Sequence, residues 1–145
     1  MNGNLILNAY AAKATAYWPP PPGGYATAKE AAMEGGPKDR KGYQLHTVEE
    51  HLAGRAPFVS VAMDNDAFPY GTALYIPEVC EAYAVPWDEL TFLVVDTGGA
   101  FIRPGRNTDR IDICVRNKTA AYKKIGNMKP VTLFVMEMAQ PLGLQ

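Results

Sequence analysis

Residues 92–101 read Phe92-Leu93-Val94-Val95-Asp96-Thr97-Gly98-Gly99-Ala100-Phe101 and form the most informative part of the chain. The apolar run predicts a buried strand, and the strand ends on a carboxylate that is followed closely by two glycines. Glycine allows a backbone to approach a bulky ligand closely. We therefore interpret this segment as a strand that presents a functional acid at the edge of a sheet.

Two further aspartates stand in similar surroundings. Asp112 lies inside the strand-like run 110–115, and Asp64 follows the apolar run 58–63. Aspartate is a poor strand former, so its placement at strand ends and interiors suggests carboxyl groups held on a rigid sheet for chemistry. Carboxyl groups that meet in a partly dry groove repel one another when ionised, so at least one keeps a proton near neutral pH. We predict Asp64, Asp96 and Asp112 as the catalytic group.

A purely structural role for these aspartates stays open at this point. An aspartate before Thr-Gly-Gly is a good turn initiator. Asp112 can also serve only as the salt-bridge partner of Arg110 or Arg116. The chemical interpretation is favoured because the pattern occurs three times.

Six segments predict strands because they are rich in β-branched and aromatic residues and are bounded by Gly, Pro and Asn. They are 13–17, 58–63, 73–76, 91–95, 111–115 and 131–136. A capping box at Thr47 and Glu50 predicts a short helix over 48–53, and a second helix over 117–124 is expected to end at Gly126. Strands that arrive about every 15–20 residues, with only short helices between them, argue against a parallel α/β sheet. A six-stranded barrel is the natural small solution, because closure removes exposed sheet edges.

Length and charge exclude several functional classes. The chain has 145 residues, enough for one domain, and we predict that 1–145 is a single domain. The net charge is -1, so no basic excess exists to neutralise nucleic-acid phosphates. No segment approaches the ~20 apolar residues that a membrane span needs.

Metal and thiol chemistry receive little support. His46 and His51 flank the short predicted helix without a partner ligand at useful spacing, so we expect them at the surface. Cys80 and Cys114 lack the close pairing of a zinc site, and two buried thiols are favoured over a disulfide. We predict no metal and no cofactor.

Four segments together resemble a known family. They are Val61-Ala62-Met63-Asp64, Phe68-Pro69-Tyr70-Gly71-Thr72-Ala73-Leu74-Tyr75-Ile76, Val95-Asp96-Thr97-Gly98-Gly99-Ala100-Phe101 and Arg110-Ile111-Asp112-Ile113, and Ala14-Thr15-Ala16-Tyr17 is similar to the opening strand. In this order they resemble the three-aspartate (3D) domain, the double-psi β-barrel of membrane-bound lytic transglycosylase A and related wall-remodelling proteins. The resemblance covers most of 13–136 and is interrupted by an insertion over 18–57.

The resemblance implies a peptidoglycan lytic transglycosylase. Such enzymes cleave the glycosidic bond between N-acetylmuramic acid and N-acetylglucosamine, and the 6-hydroxyl of the sugar displaces the leaving group to give a 1,6-anhydro product. Asp112 is implied as the acid and base, with Asp96 and Asp64 tuning its proton affinity and holding the sugar. The expected substrate-binding residues are Thr15, Tyr17, Tyr70, Thr97, Gly98, Gly99 and Arg110. The expected partner is a peptidoglycan glycan strand, bound by a monomer.

The start of the sequence bears on location. Residues 1–8 lack the basic segment and the apolar core of a secretory signal. The resemblance nevertheless implies action at the cell envelope or outside the cell. We expect an envelope or secreted protein whose signal is absent or removed, or a phage-type or delivered lysin.

The sequence departs from the family pattern in three places. The loop 102–109 is longer than usual and makes Asp109 a competitor for the acid. Asp66 is a weaker rival to Asp64. The 18–57 insertion has no assigned role, and its first part, 19–41, is either a cover for the groove or a solvated loop.

Two other functional classes remain. A non-catalytic, expansin-like wall binder would use the aspartates for hydrogen bonds to sugar hydroxyls and Trp18, Trp87 and Tyr70 for stacking. A dimeric aspartic protease would use Asp96 in its Asp-Thr-Gly element, one aspartate from each subunit. This second alternative leaves Asp64 and Asp112 unexplained.

Overall fold

The computed structural model describes residues 3–33, 36–97 and 110–139, and these ranges are mainly β. The strands described are β1 (Leu5–Tyr17), β2 (Val59–Ala62), β3 (Ala73–Tyr75), β4 (Phe92–Asp96), β5 (Arg110–Cys114) and β6 (Lys129–Glu137). They close into a barrel in the order β1-β5-β2-β4-β3-β6. The predicted six-stranded barrel is confirmed, while the double-psi path of its connections stays a prediction.

The barrel is mixed rather than purely antiparallel. The pairs β1–β5 and β2–β4 are parallel, and the other four neighbouring pairs among the described strands are antiparallel. Of the neighbouring pairs among the described strands, only β3 and β4 are consecutive in the sequence. This arrangement brings β1, β5, β2 and β4 side by side, and these are the strands that carry the predicted site residues.

The strands are apolar on both faces because each face packs against a different cluster. In β4, Phe92 and Val94 belong to the main core inside the barrel, with Val61, Ile111 and Ile113. The alternating residues of β4 point outward and join a second cluster, which contains Phe58, Ala73, Tyr75, Leu93, Val95 and Met136. Successive side chains of a strand point to opposite faces, so a strand covered on both sides loses its polar face.

The first strand is longer than predicted. The sequence indicates a strand over 13–17, whereas β1 begins at Leu5. Its first residues are mostly exposed, and Leu5 and Leu7 retain 60% and 57% of their accessible surface. Antiparallel pairing with β6, rather than burial, fixes this part of β1. A search for buried alternation therefore overlooks it.

The described helices are short. They are α1 (Ala28–Met33), α2 (Val48–Leu52), α3 (Pro77–Ala82) and α4 (Lys118–Ala120), which continues as a π-helical turn (Ala121–Ile125). The capping box of α2 is present, and the predicted second helix ends at Gly126 with φ of 81°. Neither α1 nor α3 was predicted, although Pro77 at the start of α3 is a helix-start signal. No helix in the described part of the chain is long and apolar enough to span a membrane.

The prediction of two surface histidines was wrong. His46 is buried and packs edge-on against Phe58, with 4.9 Å between ring centroids. His51 is half-buried; its Nδ1 lies 2.8 Å from the Ala56 carbonyl, and its Nε2 accepts a hydrogen bond from the Thr91 N–H. The His51 ring therefore links the backbone at Ala56 to the backbone at Thr91, and a sequence pattern does not reveal this role. Both cysteines are buried free thiols, as favoured.

Candidate active site

Four side chains form a row across neighbouring strands. Thr15 on β1 is the register partner of Asp112 on β5, and Asp112 is in turn the partner of Ala62 on β2. Ala62 is also the partner of Asp96 at the end of β4. Directly opposed residues place their side chains on the same face of a sheet. The row Thr15–Asp112–Ala62–Asp96 therefore puts two carboxyl groups on one face, on either side of a small alanine.

This face is the outside of the barrel. The alternating neighbours Ala14, Ile111 and Val61 belong to the main core inside it. Ala62 instead packs with Tyr17, Leu45 and Cys114 in a separate cluster. The acids consequently lie on the outer face of the wall rather than in its sealed interior, and both retain part of their accessible surface.

A register shift turns Asp96 toward this face. Val61 is opposite Val94, but the next pair is Ala62 opposite Asp96, so Val95 is an extra residue on β4. Simple alternation from Phe92 and Val94 would point Asp96 inward. A bulge re-aims the side chains beyond it and is common beside active sites. The bulge at Val95 therefore joins Asp96 to the row of Asp112.

Asp112 is half-buried on the middle of β5, where the backbone is rigid. The Thr15 hydroxyl donates to its Oδ1 at 3.0 Å. Burial raises the pKa of Asp112 from 3.8 to about 6; the Thr15 hydrogen bond and the Arg110 charge oppose this rise, and the charge of Asp96 adds to it. A carboxyl group with this pKa exchanges its proton close to neutral pH, as a general acid and base must.

Asp96 has a similar proton affinity for related reasons. Burial raises its pKa from 3.8 to about 6; the Thr97 N–H and Arg40 lower it, and the charge of Asp39 raises it. The Thr97 N–H donates to its Oδ1 at 2.9 Å. The charge of Asp96 in turn raises the pKa of Asp112, so the ionisation of one acid affects the other.

Tyr17 lies beside the pair with its hydroxyl buried. The residue is 6% exposed, and its hydroxyl has no hydrogen-bond partner among the described residues. Burial raises its pKa well above 10, with further contributions from Cys114, Asp96, Asp112 and Asp39. Buried hydroxyl groups normally find a partner, so an unpartnered one next to two acids is a candidate donor to a ligand.

The structure adds an acid that the sequence interpretation missed. Asp39 lies in a tight loop, residues 37–45, within the insertion. Its Oδ1 accepts hydrogen bonds from the Lys41 and Tyr43 N–H groups, and its Oδ2 accepts one from the Tyr70 hydroxyl at 2.9 Å. The run Asp39-Arg40-Lys41-Gly42 is a turn signal, and Gly42 adopts φ of 86°. That signal predicts the turn but not its contact with β4.

The structure gives Asp64 a local structural contact. Asp64 is buried, and its Oδ1 accepts a hydrogen bond from the Asp66 N–H at 3.0 Å. Its carbonyl accepts from the Phe68 N–H at 2.8 Å, so the residue organises the turn after β2. Asp66, the weaker rival, is exposed on this turn. The catalytic role of Asp64 stays a prediction.

The other predicted binding residues divide into two groups. Among the described ones, Arg110 flanks Asp112, Tyr70 holds Asp39, and the half-buried Thr97 follows Asp96. Nη2 of Arg110 donates to the Thr15 hydroxyl at 3.5 Å. Gly98, Gly99 and the rival acid Asp109 lie outside the described residues. Their predicted roles stay predictions.

The three aromatic stacking candidates lie in different places. The Trp87 ring packs edge-on against Tyr75 on β3 and Phe134 on β6, which are not the strands of the acid row. Trp18 directly follows Tyr17 and lines a cleft of about 390 Å³ with Tyr122, Lys29 and Lys118. The Tyr70 ring carries the Lys41 ammonium 4.3 Å from its centroid. Of the three, Trp18 has the surroundings of a sugar platform.

Two other clefts lie away from the acids. One, of about 360 Å³, is lined by Glu78, Glu81, Lys124 and Lys129, among others. The other, of about 550 Å³, is lined by Glu49, Tyr83 and Arg116, among others. No group of three or more His, Cys, Asp or Glu side chains within 3–33, 36–97 and 110–139 is arranged to hold a metal ion.

Comparison with solved structures finds barrels of lytic transglycosylases. The crystal structure of MltA from E. coli matches with a TM-score of 0.45 and 19% sequence identity, over 70% of this chain and 28% of that chain. E. coli MltA with bound chitohexaose matches with a TM-score of 0.44 and 16% identity, over 71% of this chain and 28% of that one. This chain therefore spans little more than a quarter of the length of these proteins. No family model and no curated protein sequence matches the chain.

Proposed function

We propose that the protein is a peptidoglycan lytic transglycosylase that cleaves the bond between N-acetylmuramic acid and N-acetylglucosamine. The observation that carries the proposal is the pair Asp112 and Asp96, which share one face on either side of Ala62 and both have a pKa of about 6. The sequence resemblance to the three-aspartate domain supplies the reaction type. Most enzymes that cleave a glycosidic bond use a pair of carboxyl groups placed beside it.

The spacing of the pair suits a sugar. Asp112 and Asp96 are separated by two strand spacings, because β2 runs between β5 and β4. Two spacings amount to about 10 Å between the backbones, and the side chains of the two acids span part of that distance. Ala62 between them is 5% exposed and packs against Tyr17 and Leu45. A pyranose ring bound along this row would therefore rest on these side chains, with one acid on either side.

In the proposed mechanism Asp112 acts twice. Its proton is transferred to the glycosidic oxygen as the bond from that oxygen to C1 of the muramic acid breaks. The resulting carboxylate then takes the proton of the 6-hydroxyl while O6 bonds to C1, which closes the 1,6-anhydro ring. The proton on Asp112 is thereby restored, and no water is consumed. The carboxylate form of Asp96, which dominates above pH 6, stabilises the positive charge that develops at C1.

Thr15 and Arg110 support this role of Asp112. The Thr15 hydroxyl holds Oδ1, which leaves Oδ2 of the carboxyl group to carry the proton. The positive charge of Arg110 limits the rise in the pKa of Asp112 that burial causes. Without these two contacts the acid would bind its proton too tightly to give it up to a weakly basic glycosidic oxygen.

We also propose the setting of this activity. The substrate would be a peptidoglycan glycan strand, and a cell-envelope, secreted, phage-type or delivered location follows from that substrate. The Trp18 cleft, which begins one residue beyond Tyr17, would hold a sugar further along the strand. An aromatic ring offers a flat apolar face to a sugar ring.

A wall-binding module without catalysis is the second candidate, and the same aromatic cleft is the observation that favours it. The dimeric protease has less support, because it assigns no role to Asp112, which shares the row with Asp96.

Digestion of purified sacculi tests the proposal. The protein, an Asp112→Asn variant and an Asp66→Asn control are incubated with sacculi, and soluble products are identified by mass spectrometry. We expect 1,6-anhydro-muropeptides from the wild type and the control, and a loss of at least 100-fold in Asp112→Asn, the usual scale for an acid–base residue. Products with free reducing ends would show hydrolysis instead. Tight binding without products would support the binding module.

A further inference from the structure

The loop of residues 37–45, called here the 37–45 loop, contacts the strand that carries Asp96. The Arg40 N–H donates to the Val95 carbonyl at 3.3 Å, one residue before the acid. The Arg40 guanidinium donates to the Asn65 side chain, and the Asn65 amide donates in turn to the Asp96 carbonyl at 3.2 Å. The loop is therefore fastened to the bulge that orients Asp96.

The loop is a defined structure. Lys38 and Gln44 form an antiparallel bridge, and the Leu45 N–H donates to the Pro37 carbonyl at 3.1 Å. The side chain of Leu45 is buried against Tyr17, Ala62 and Cys114, on the same face as the acid row. This packing anchors the end of the loop on the outer face of the barrel.

Within the loop, one carboxylate is fixed next to the acid pair. Asp39 is 7% exposed, and three hydrogen bonds hold it, from the Lys41 and Tyr43 N–H groups and from the Tyr70 hydroxyl. Its charge acts on Asp96 and on the buried Tyr17. The neighbouring Arg40 acts on Asp96 in the opposite direction.

We propose that the 37–45 loop controls how tightly the Asp96–Asp112 pair holds its proton, with Asp39 as the positioning residue that strengthens proton binding and Arg40 as its counterweight. A fixed negative charge beside Asp96 disfavours ionisation of that acid. Because a protonated Asp96 no longer repels a charge on Asp112, the proton is held at Asp96 and Asp112 becomes easier to ionise. Asp39 itself has no role in proton transfer. This inference builds on the proposed function, since it assigns a purpose to the insertion within that site.

The groups that face Asp96 come from four elements. Around it lie Asp112 on β5, Tyr17 on β1, Asp39 and Arg40 in the 37–45 loop, and the neutral amide of Asn65 after β2. Among the charged groups in this set, only Arg40 favours the ionised acid. Changes at Asp39 and Arg40 should therefore move the proton affinity of Asp96 in opposite directions.

Carbon-13 NMR titration of the aspartate carboxyl groups tests this without substrate. Asp39→Asn keeps an oxygen acceptor for the Lys41 and Tyr43 N–H groups but removes the charge, and we expect the pKa of Asp96 to fall by about 1. Arg40→Gln keeps the backbone contact to Val95 but removes the cation, and we expect the pKa of Asp96 to rise. The control Asp66→Asn should leave it near 6.

Kinetics give a second measurement. In Asp39→Asn, the acid limb of the pH–rate profile should move to lower pH, and Asp39→Glu should restore it toward the wild-type position. An unchanged pKa of Asp96 in Asp39→Asn overturns the inference. An unchanged or lowered pKa of Asp96 in Arg40→Gln overturns it as well, and this second test remains if Asp39→Asn fails to fold. Failure of the wild type to release anhydro products overturns the proposed function alone, because the titrations do not depend on it.

Discussion

Replacing Asp112 by asparagine should stabilise the protein while abolishing catalysis, and the stabilisation should depend on pH. The folded pKa of about 6 lies above the ordinary 3.8, so protonation favours the folded state. This contribution is fully present below pH 3.8 and is lost as the pH rises through 6. A rise from 3.8 to about 6 corresponds to about 3 kcal/mol at most. Since Asp112 is only half-buried, we expect about 2 kcal/mol.

Urea unfolding at pH 4.5 and pH 7.5 measures this difference. Asparagine does not titrate and still accepts the Thr15 hydrogen bond through its oxygen. The stability of Asp112→Asn relative to wild type should therefore increase by about 1 kcal/mol between the two pH values, because at pH 4.5 the unfolded carboxyl group is already mostly ionised and the full value of about 2 kcal/mol is reached only below pH 3.8. The control Asp66→Asn, at an exposed carboxyl group, should show no such increase. A relative stability of Asp112→Asn that is equal at both pH values would refute the reasoning, because the carboxyl group would then not be desolvated by folding.

Three further substitutions probe the surroundings of the pair. Thr15→Val removes the hydrogen bond that lowers the pKa of Asp112, so the basic limb of the pH–rate profile should shift to higher pH by about 1 unit. A basic limb at the wild-type position would count against Asp112 as the acid. Tyr17→Phe removes a buried hydroxyl that has no hydrogen-bond partner in the described ranges. It should stabilise the fold by about 1 kcal/mol in urea titrations and weaken chitohexaose binding. A loss of stability would mean that the hydroxyl has a hydrogen-bond partner. Trp18→Ala should weaken chitohexaose binding about tenfold, or about 1.4 kcal/mol in calorimetry, whereas Trp87→Ala should not; equal effects would remove the Trp18 cleft from the binding surface.

The strands of the barrel could largely be predicted from the sequence, because buried residues either alternate along a strand or follow one another without a break. Phe92-Leu93-Val94-Val95 is apolar on both faces, and the structure covers both. The capping box at Thr47 and the end of the second helix at Gly126 depend on local backbone chemistry, so they too were predicted correctly. Structural features that depend on no more than about ten consecutive residues can therefore be predicted from the sequence.

The site needed information that is not local. The sequence shows that Asp96 and Asp112 follow or interrupt strands, but not that β2 runs between them, nor that the bulge at Val95 turns Asp96 outward. The exposed first half of β1 depends on pairing with a strand more than 120 residues later in the chain. Asp39 belongs to an ordinary turn sequence, and only the closed barrel brings that turn to β4.

The central claim is that a glycan strand binds across the row Thr15–Asp112–Ala62–Asp96. A crystal structure of the Asp112→Asn variant soaked with chitohexaose, a soluble glycan oligomer, measures this most directly. The account predicts a glycosidic oxygen about 3 Å from the side chain of residue 112, with Asp96 on the other side of the sugar ring. A saccharide bound elsewhere, with the outer face at Ala62 left empty, would contradict it.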